Sequence, residues 1–241
     1  MSCYDEFPEY YDLIYNRFQQ SDTFLKLTQY SFNRDERLLD LCCGTGEVTA
    51  HLLKKGFWNI TCMDAELGML SVARKKLEKY DLEFTCASMC EFSADNEFDG
   101  IMVRQAINYL LDEDRLVDGL RHMYLALRPY GRLVFNAPNH WPEKEYKDRM
   151  HECTQDNLQV IVHETNTLDG KILTHKQRCI IHDMEKETIV RLTDENTFAM
   201  YTREEFSHAL DAAGFSKHHY YGAGLCHYTK ESPSMYFLAT K

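Results

Sequence analysis

Between Leu38 and Gly46 the chain reads Leu-Leu-Asp-Leu-Cys-Cys-Gly-Thr-Gly, and a second acidic residue, Asp64, follows further on. Asp40 falls within the end of a short apolar run, and Gly44 and Gly46 come directly after small residues. Glycines at such a bend let a ligand lie against backbone N–H groups, and a helix beginning just beyond would aim its N-terminus at that ligand. Asp64 stands about 20 residues downstream, the spacing at which a carboxylate ending a second strand accepts both hydroxyls of a ribose. The glycine spacing selects between nucleotides. A dinucleotide calls for G-x-G-x-x-G, because its pyrophosphate must approach the helix N-terminus closely. Counted from Gly44, the third glycine position is Thr49. A nucleoside without phosphate but with positive charge is better matched, since it welcomes Asp40 nearby.

The elements that must hold these residues follow from periodicity. Arg37–Cys42 reads as a buried strand, Glu47–Lys55 as a helix stopped by Gly56, and Asn59–Met63 as a second strand. Leu67–Tyr80 has Leu70, Ala73 and Leu77 on one helical face. Leu82–Cys86 and Phe98–Val103 read as strands three and four, Asp112–Leu127 as a helix, Arg128–Gly131 as a turn and Arg132–Phe135 as strand five. Strands alternating with helices imply a parallel, doubly wound sheet. After Pro142 the pattern changes. Leu158–Thr165, Lys171–Ile181 and Glu187–Met200 are rich in β-branched residues, with Asp169-Gly170 as a hairpin turn, so antiparallel strands are inserted there. A helix from Thr202 to Ala213, with Thr202 and Glu205 as a capping box and Gly214 as its stop, returns to the main fold. Strands near Phe215–Tyr221 and Ser234–Thr240 complete it.

Composition bounds the function. The 241 residues are 44% hydrophobic and carry a net charge of −11, which suits a folded domain acting on a neutral or cationic small molecule. The Arg74-Lys75-Lys76 triplet reads as the solvated face of a helix, so nucleic acid is not expected as a partner. No apolar run approaches the roughly 20 residues of a membrane span, and no membrane partner is expected. Met1–Tyr15 lacks a basic stretch followed by an apolar one, so a secretory signal is not expected. Nine cysteines without CxxC pairing point to reduced thiols in a cytoplasm, without a structural zinc. His163, His175 and His182 lack close ligand spacing, and no metal is expected.

The ordered set Asp40-x-Cys42-x-Gly44-x-Gly46, Asp64, Phe98-Asp99 and Leu127-Arg128-Pro129-x-Gly131 resembles the motifs of class I S-adenosylmethionine-dependent methyltransferases, with Cys42 in place of the first glycine. The resemblance implies an α/β fold: a doubly wound, Rossmann-like seven-stranded sheet with an inserted antiparallel β lid. It divides the chain into a lid helix and cofactor core (1–150), a β insert over the acceptor pocket (151–201), and a return helix with the last two strands (202–241). It implies S-adenosylmethionine as cofactor and S-adenosylhomocysteine as product. The implied cofactor residues are Tyr15, Asp40, Cys42, Gly44, Gly46, Asp64, Ala65, Met69, Ser88, Met89 and Arg104, with Ser88 standing where an adenine-binding Asp is common.

In layout the chain is similar to N-methyltransferases of amino-deoxysugars, which implies a small-molecule acceptor and a homodimer through the β insert. Tyr11–Tyr15 resembles a segment covering the methionine end of the cofactor, and Tyr109 falls where a polar aromatic stands near the reacting amine. Tyr15, Tyr109 and His140 are therefore the candidate catalytic groups, and Gln105, Tyr109, Asn136, Trp141 and Tyr201 the candidate acceptor contacts. An amine must arrive unprotonated and aimed, whereas a hydroxyl needs a base, a task for His140 or Tyr109. Transfer to oxygen, nicotinamide chemistry, and a degenerate fold kept as an interaction protein remain open alternatives.

Overall fold

The computed structural model describes residues 8–15, 23–139 and 148–241. Two short helices, α1 (Pro8–Tyr15) and α2 (Thr23–Ser31), precede the sheet. Then come β1 (Leu38–Leu41), α3 (Glu47–Lys54), β2 (Ile60–Asp64), α4 (Leu67–Lys76), β3 (Glu83–Cys86), β4 (Phe98–Val103), α5 (Glu113–Ala126) and β5 (Leu127–Pro138). Four strands follow: β6 (Arg149–Gln155), β7 (Leu158–Asp169), β8 (Ile172–Asp183) and β9 (Thr188–Ala199). The chain closes with α6 (Arg203–Ala213), β10 (Lys217–Tyr221) and β11 (Ser234–Thr240).

The seven-stranded sheet has the order β10-β11-β5-β4-β1-β2-β3, with β11 antiparallel to its neighbours and the rest parallel. Alternation along each strand decides which helix layer it meets. Leu38, Ile60, Met102 and Val134 face α2 and α3 through Phe24, Leu27, Val48 and Leu52. Leu39, Leu41, Ile101, Val103, Leu133 and Phe135 face α5 and α6 through Leu116, Leu120, Phe206 and Leu210. Both faces are covered, as a parallel sheet requires. The order reverses at β1, between β4 and β2, so the crevice beyond the carboxyl ends of these strands is the ligand position for this architecture.

The second sheet, β6-β7-β8-β9, is wholly antiparallel. One of its faces is apolar at one end, where Val160, Ile181, Val162, Cys179 and Leu192 pack under Ile14 and Leu13 of α1.

Several boundaries differ from the sequence reading, and the strand begun at Leu158 runs to Asp169 instead of Thr165. The helix after β2 ends at Lys76 instead of Tyr80, because Leu77 leaves helical geometry and an i+3 bond from Tyr80 N to Leu77 O takes over. The expected turn at 128–131 is a bulge within β5: Phe98 pairs with Leu127 and Gly100 with Arg132, while exposed Tyr130 takes a φ of +66°. The hairpin turn is centred on Gly170-Lys171, since Asp169 already pairs with Ile172. The inserted sheet also has a strand, Arg149–Gln155, that was not anticipated; only Cys153 of its residues is buried, so its edge position leaves no apolar alternation to read.

The capping box is present: Glu205 N donates to Thr202 Oγ1 at 3.3 Å, and Thr202 N donates to Glu205 Oε2 at 2.8 Å. Replacing Thr202 by Ala is expected to lower stability by about 1 kcal/mol in urea unfolding, without a change in the denaturant slope.

Candidate functional site

The bend after β1 turns on three residues with positive φ: Cys42 at +59°, Gly44 at +54° and Gly46 at +79°. Cys42 thus occupies a left-handed conformation that glycine adopts without cost, which accounts for the residue type it replaces in the resemblance. The two glycines do different work. A Cβ on Gly46 would stand 2.9 Å from Leu77 Cδ1 and 3.3 Å from Ala73 Cβ, so this glycine lets the bend rest on α4. A Cβ on Gly44 would meet none of the described residues within 4 Å, so they leave the space beside its backbone open.

Two buried carboxylates lie close to the bend, Asp40 within β1 and Asp64 at the end of β2. Asp64 ends β2; its Oδ2 accepts from Gly44 N at 2.8 Å and its Oδ1 from Glu66 N at 2.9 Å. A carboxylate has about four acceptor positions, and the backbone N–H groups of Gly44, Glu66 and Ala65 take up part of them, leaving room for a ligand hydroxyl. Asp64 is mostly buried, and burial raises its pKa against the opposing backbone donors. Asp40 is 1% exposed within β1 and accepts from Thr49 Oγ1, one turn into α3, at 2.6 Å. Burial lifts its pKa to about 6, while the Thr49 hydrogen bonds and the Arg104 charge act the other way. Near neutral pH Asp40 is a carboxylate shielded from water, where attraction to a cation is least screened. These are the parts S-adenosylmethionine would need. Gly44 and the α3 N-terminus would border it, Asp64 would take its ribose hydroxyls, and Asp40 with Arg104 would face its amino-acid end.

The other expected residues distribute unevenly. Ala65 is exposed beside Asp64, and Met69 and Met89 are buried at 3% and 8%. Ser88 Oγ donates to Glu91 Oε2 at 3.2 Å. Gln105, at a φ of +51°, donates its backbone N–H to the buried Asn136 Oδ1 at 3.0 Å, so these two lock the ends of β4 and β5 together. Tyr109 packs on Phe198 of β9 with ring centres 4.8 Å apart. Tyr201 is buried, and its hydroxyl donates to the Leu110 carbonyl at 2.6 Å. The Tyr15 hydroxyl donates to Gln177 Oε1 in the inserted sheet. His140 and Trp141 lie outside the described residues. Among the described residues no group of His, Cys, Asp and Glu is arranged to hold a metal.

Sequence reasoning missed the residues that fasten α1 over the bend. Thr45 Oγ1 donates to Asp12 Oδ1 at 2.6 Å, and Lys76 Nζ donates to Asp12 Oδ2 at 2.5 Å and also to Glu47. Lys76 sits in the basic triplet read as a solvated face. Its engagement depends on α1 arriving from about 60 residues away, which leaves no local signal.

Residues 38–131 match the family model described as a methyltransferase domain. A Geobacillus sp. (strain WCH70) protein provisionally named a methyltransferase is 33% identical over 56% of this chain and 57% of its own length. Bacillus subtilis (strain 168) YqeM, provisionally named likewise, is 26% identical over 82% of this chain and 80% of its own. The malonyl-[acyl-carrier protein] O-methyltransferase of Priestia megaterium is 26% identical over 61% of this chain and 51% of its own. The chain thus spans little more than half the length of two of these three relatives.

Among solved structures, an S-adenosylmethionine-dependent methyltransferase from Clostridium acetobutylicum ATCC 824 superposes with a TM-score of 0.82 at 20% identity, covering 99% of this chain and 98% of that one. CalS10, an amino pentose methyltransferase from Micromonospora echinaspora solved with S-adenosylmethionine, gives 0.77 at 22% identity and 95% of both chains. The sugar N-methyltransferase KedS8 from Streptoalloteichus sp. gives 0.75 at 20% identity, covering 96% of this chain and 92% of that one. At these identities the likeness is one of fold, and it takes in both sheets.

Proposed function

We propose that this chain, whose residues 38–131 form a methyltransferase domain and whose methyl donor is S-adenosylmethionine, acts on a small polar metabolite and delivers the methyl group to an amine nitrogen. The observation that carries this reading is the pair of buried carboxylates beside the bend, Asp40 within β1 and Asp64 bonded to Gly44 N. S-adenosylmethionine supplies a methyl group on a positively charged sulfur; the protein's own contribution is to orient and to exclude water. Asp64 holds the bend through Gly44 N and keeps lone pairs for hydroxyls. Gln105 and Asn136 fix the loop ends from which Arg104 and Tyr109 project. Bringing nucleophile and methyl together in near-attack geometry accounts for roughly 7–11 kcal/mol of a two-reactant barrier.

Nitrogen is favoured over oxygen because a neutral amine needs no strong base. The amino pentose and sugar N-methyltransferases among the structural neighbours support the same choice, while the O-methyltransferase relative keeps a carboxylate or hydroxyl acceptor as the second reading. The acidic net charge of −11 supports an acceptor that is neither nucleic acid nor anionic membrane, and no described helix is long and apolar enough to cross a bilayer. The free described cysteines fit a cytoplasmic location, and the inserted sheet is the surface through which a homodimer would form.

The test incubates the full chain and S-adenosylmethionine with pooled amines and pooled hydroxyl and carboxyl metabolites, followed by mass spectrometry. A product heavier by one CH2 is expected from the amine pool. Its rate should rise with pH until the acceptor is deprotonated. Products from the hydroxyl or carboxyl pool alone would favour the oxygen reading.

A further inference from the structure

Tyr15 and Tyr109, expected at the reacting end of the site, come from α1 and from the turn after β4, and both reach the same face of the inserted sheet. The Tyr15 hydroxyl donates to Gln177 Oε1, and the Tyr109 ring packs on Phe198 with centres 4.8 Å apart. The register fixes what lies between these contacts. Gln177 belongs to the cross-strand row Glu164, Gln177 and Asp194, and Phe198 to the row Leu168, Leu173 and Phe198. One row separates them, Asn166, His175 and Asn196, about 7 Å from each by strand rise. Side chains two residues apart on a strand share a face, so His175 stands between the two tyrosine contacts. Its ring centre lies 6.5 Å from that of Phe198.

The hydrogen bonds around His175 set its tautomer. Nδ1 donates to Asn166 Oδ1 at 2.8 Å, because an amide oxygen can only accept, so Nε2 presents its lone pair. That nitrogen has no partner among the described residues. The nearby donor Asn196 Nδ2 is taken by Asp194 Oδ2. The ring is half-buried, and burial lowers its pKa. Glu164 on β7 and Asp194 on β9 are the charged groups acting on it, and they oppose that effect without cancelling it. At neutral pH His175 is therefore an uncharged hydrogen-bond acceptor with negative charge close by.

Methyl transfer to a neutral amine has a use for such a group. The N–C bond forms as the C–S bond breaks, and the C–S electron pair stays on sulfur. The nitrogen becomes an ammonium, so no proton need leave during the step. Its N–H is a stronger donor as an ammonium than as an amine. An acceptor aimed at that N–H therefore holds the transition state more tightly than the ground state, which accelerates transfer.

We propose that His175 is a further catalytic residue: its Nε2 accepts a hydrogen bond from the N–H of the substrate amine, aims the nitrogen lone pair at the methyl group and stabilises the positive charge that grows on nitrogen. This deepens the reading of the chain as an amine methyltransferase and rests on it. It narrows the substrate to a primary or secondary amine, since a tertiary amine has no N–H to give.

The test follows the rate of product formation by the full chain at saturating S-adenosylmethionine, with the amine that the parent methylates from the pool. His175→Leu is expected to slow transfer about tenfold to a hundredfold, the size of a hydrogen bond to a charged partner. His175→Gln, whose amide oxygen can stand where Nε2 stood, should keep most of the parent rate. Both variants should bind S-adenosylhomocysteine as the parent does, which reports that they are folded. Below the His175 pKa the parent rate should fall close to a hundredfold per pH unit, tenfold from the amine and tenfold from the imidazole, and in His175→Gln only tenfold. Asp40, which titrates near pH 6, acts alike in both proteins, so the difference belongs to His175. A parent-like rate in His175→Leu, an equal loss in the two variants, or coincident pH profiles overturns the proposal. A parent chain that binds S-adenosylhomocysteine but methylates nothing in the amine pool fails the amine reading instead, so the two failures are distinguishable.

Discussion

Gly44→Ala should cost the protein less stability than Gly46→Ala does but nearly all of its cofactor affinity, whereas Gly46→Ala should act mainly on stability. Both glycines have positive φ, +54° and +79°, so each substitution carries the strain of placing alanine in the left-handed region, about 1–2 kcal/mol. The surroundings separate them. The added methyl at Gly44 meets none of the described residues within 4 Å and projects into the space assigned to the ligand. At Gly46 it presses on Leu77 Cδ1 at 2.9 Å and Ala73 Cβ at 3.3 Å, which adds overpacking of roughly 1–3 kcal/mol. Thermal unfolding should therefore place Gly46→Ala well below Gly44→Ala. Calorimetry with S-adenosylhomocysteine should show Gly44→Ala weakened by about a hundredfold or more, the loss of close backbone approach together with its hydrogen bonds. Equal affinities for the parent and Gly44→Ala would mean that the ligand does not lie against this bend.

Asp40→Asn is expected to make S-adenosylhomocysteine bind about tenfold to a hundredfold more weakly at pH 7.5, the contribution of a hydrogen bond to a charged partner. The pH dependence gives a second, sharper signature. With its pKa raised to about 6 by burial, Asp40 is ionised at pH 7.5 and mostly protonated at pH 5. Attraction to the ligand's ammonium depends on the ionised form. Affinity in the parent chain should thus be level above pH 7 and fall by close to tenfold per pH unit below 6. Asp40→Asn should lack that descent. Stability moves the opposite way. Because the folded pKa lies above the unfolded value of 3.8, the favourable contribution of protonated Asp40 is complete below that value and is lost as pH rises through 6. Removing the charge should leave the ligand-free protein at least as stable as the parent at pH 7.5.

The core of the site was legible because it is local. Asp40, Gly44 and Gly46 fall within seven consecutive residues, and Asp64 ends the next strand. Strand and helix periods then placed those four residues at the carboxyl edge of a parallel sheet, where the structure has them. What sequence could not give depends on register and on distant chain. Glu164, Gln177 and Asp194 become one row only once β7, β8 and β9 are aligned, and a slip of one residue would turn Gln177 outward. The same holds for the Asp12–Lys76 pair, which needs α1 docked on α4. Tyr201, expected among the acceptor contacts, is buried with its hydroxyl on the Leu110 carbonyl. Periodicity reports burial well, but it does not say whether a buried tyrosine faces a ligand or a carbonyl. The boundary errors at Leu77 and Leu127 have a similar root, since a helix end and a strand bulge are set by neighbours and not by the residues' own preferences.

On the proposed reading, the bend between Asp40 and Asp64 would hold the S-adenosyl ligand through the Asp64 carboxylate. Titrating S-adenosylhomocysteine into the parent chain and into Asp64→Ala by calorimetry at pH 7.5 tests it most directly. Saturable binding by the parent, with affinity reduced by about a hundredfold in the folded variant, is the predicted result. No heat from the parent at saturating ligand, or the same affinity in both proteins, would contradict it.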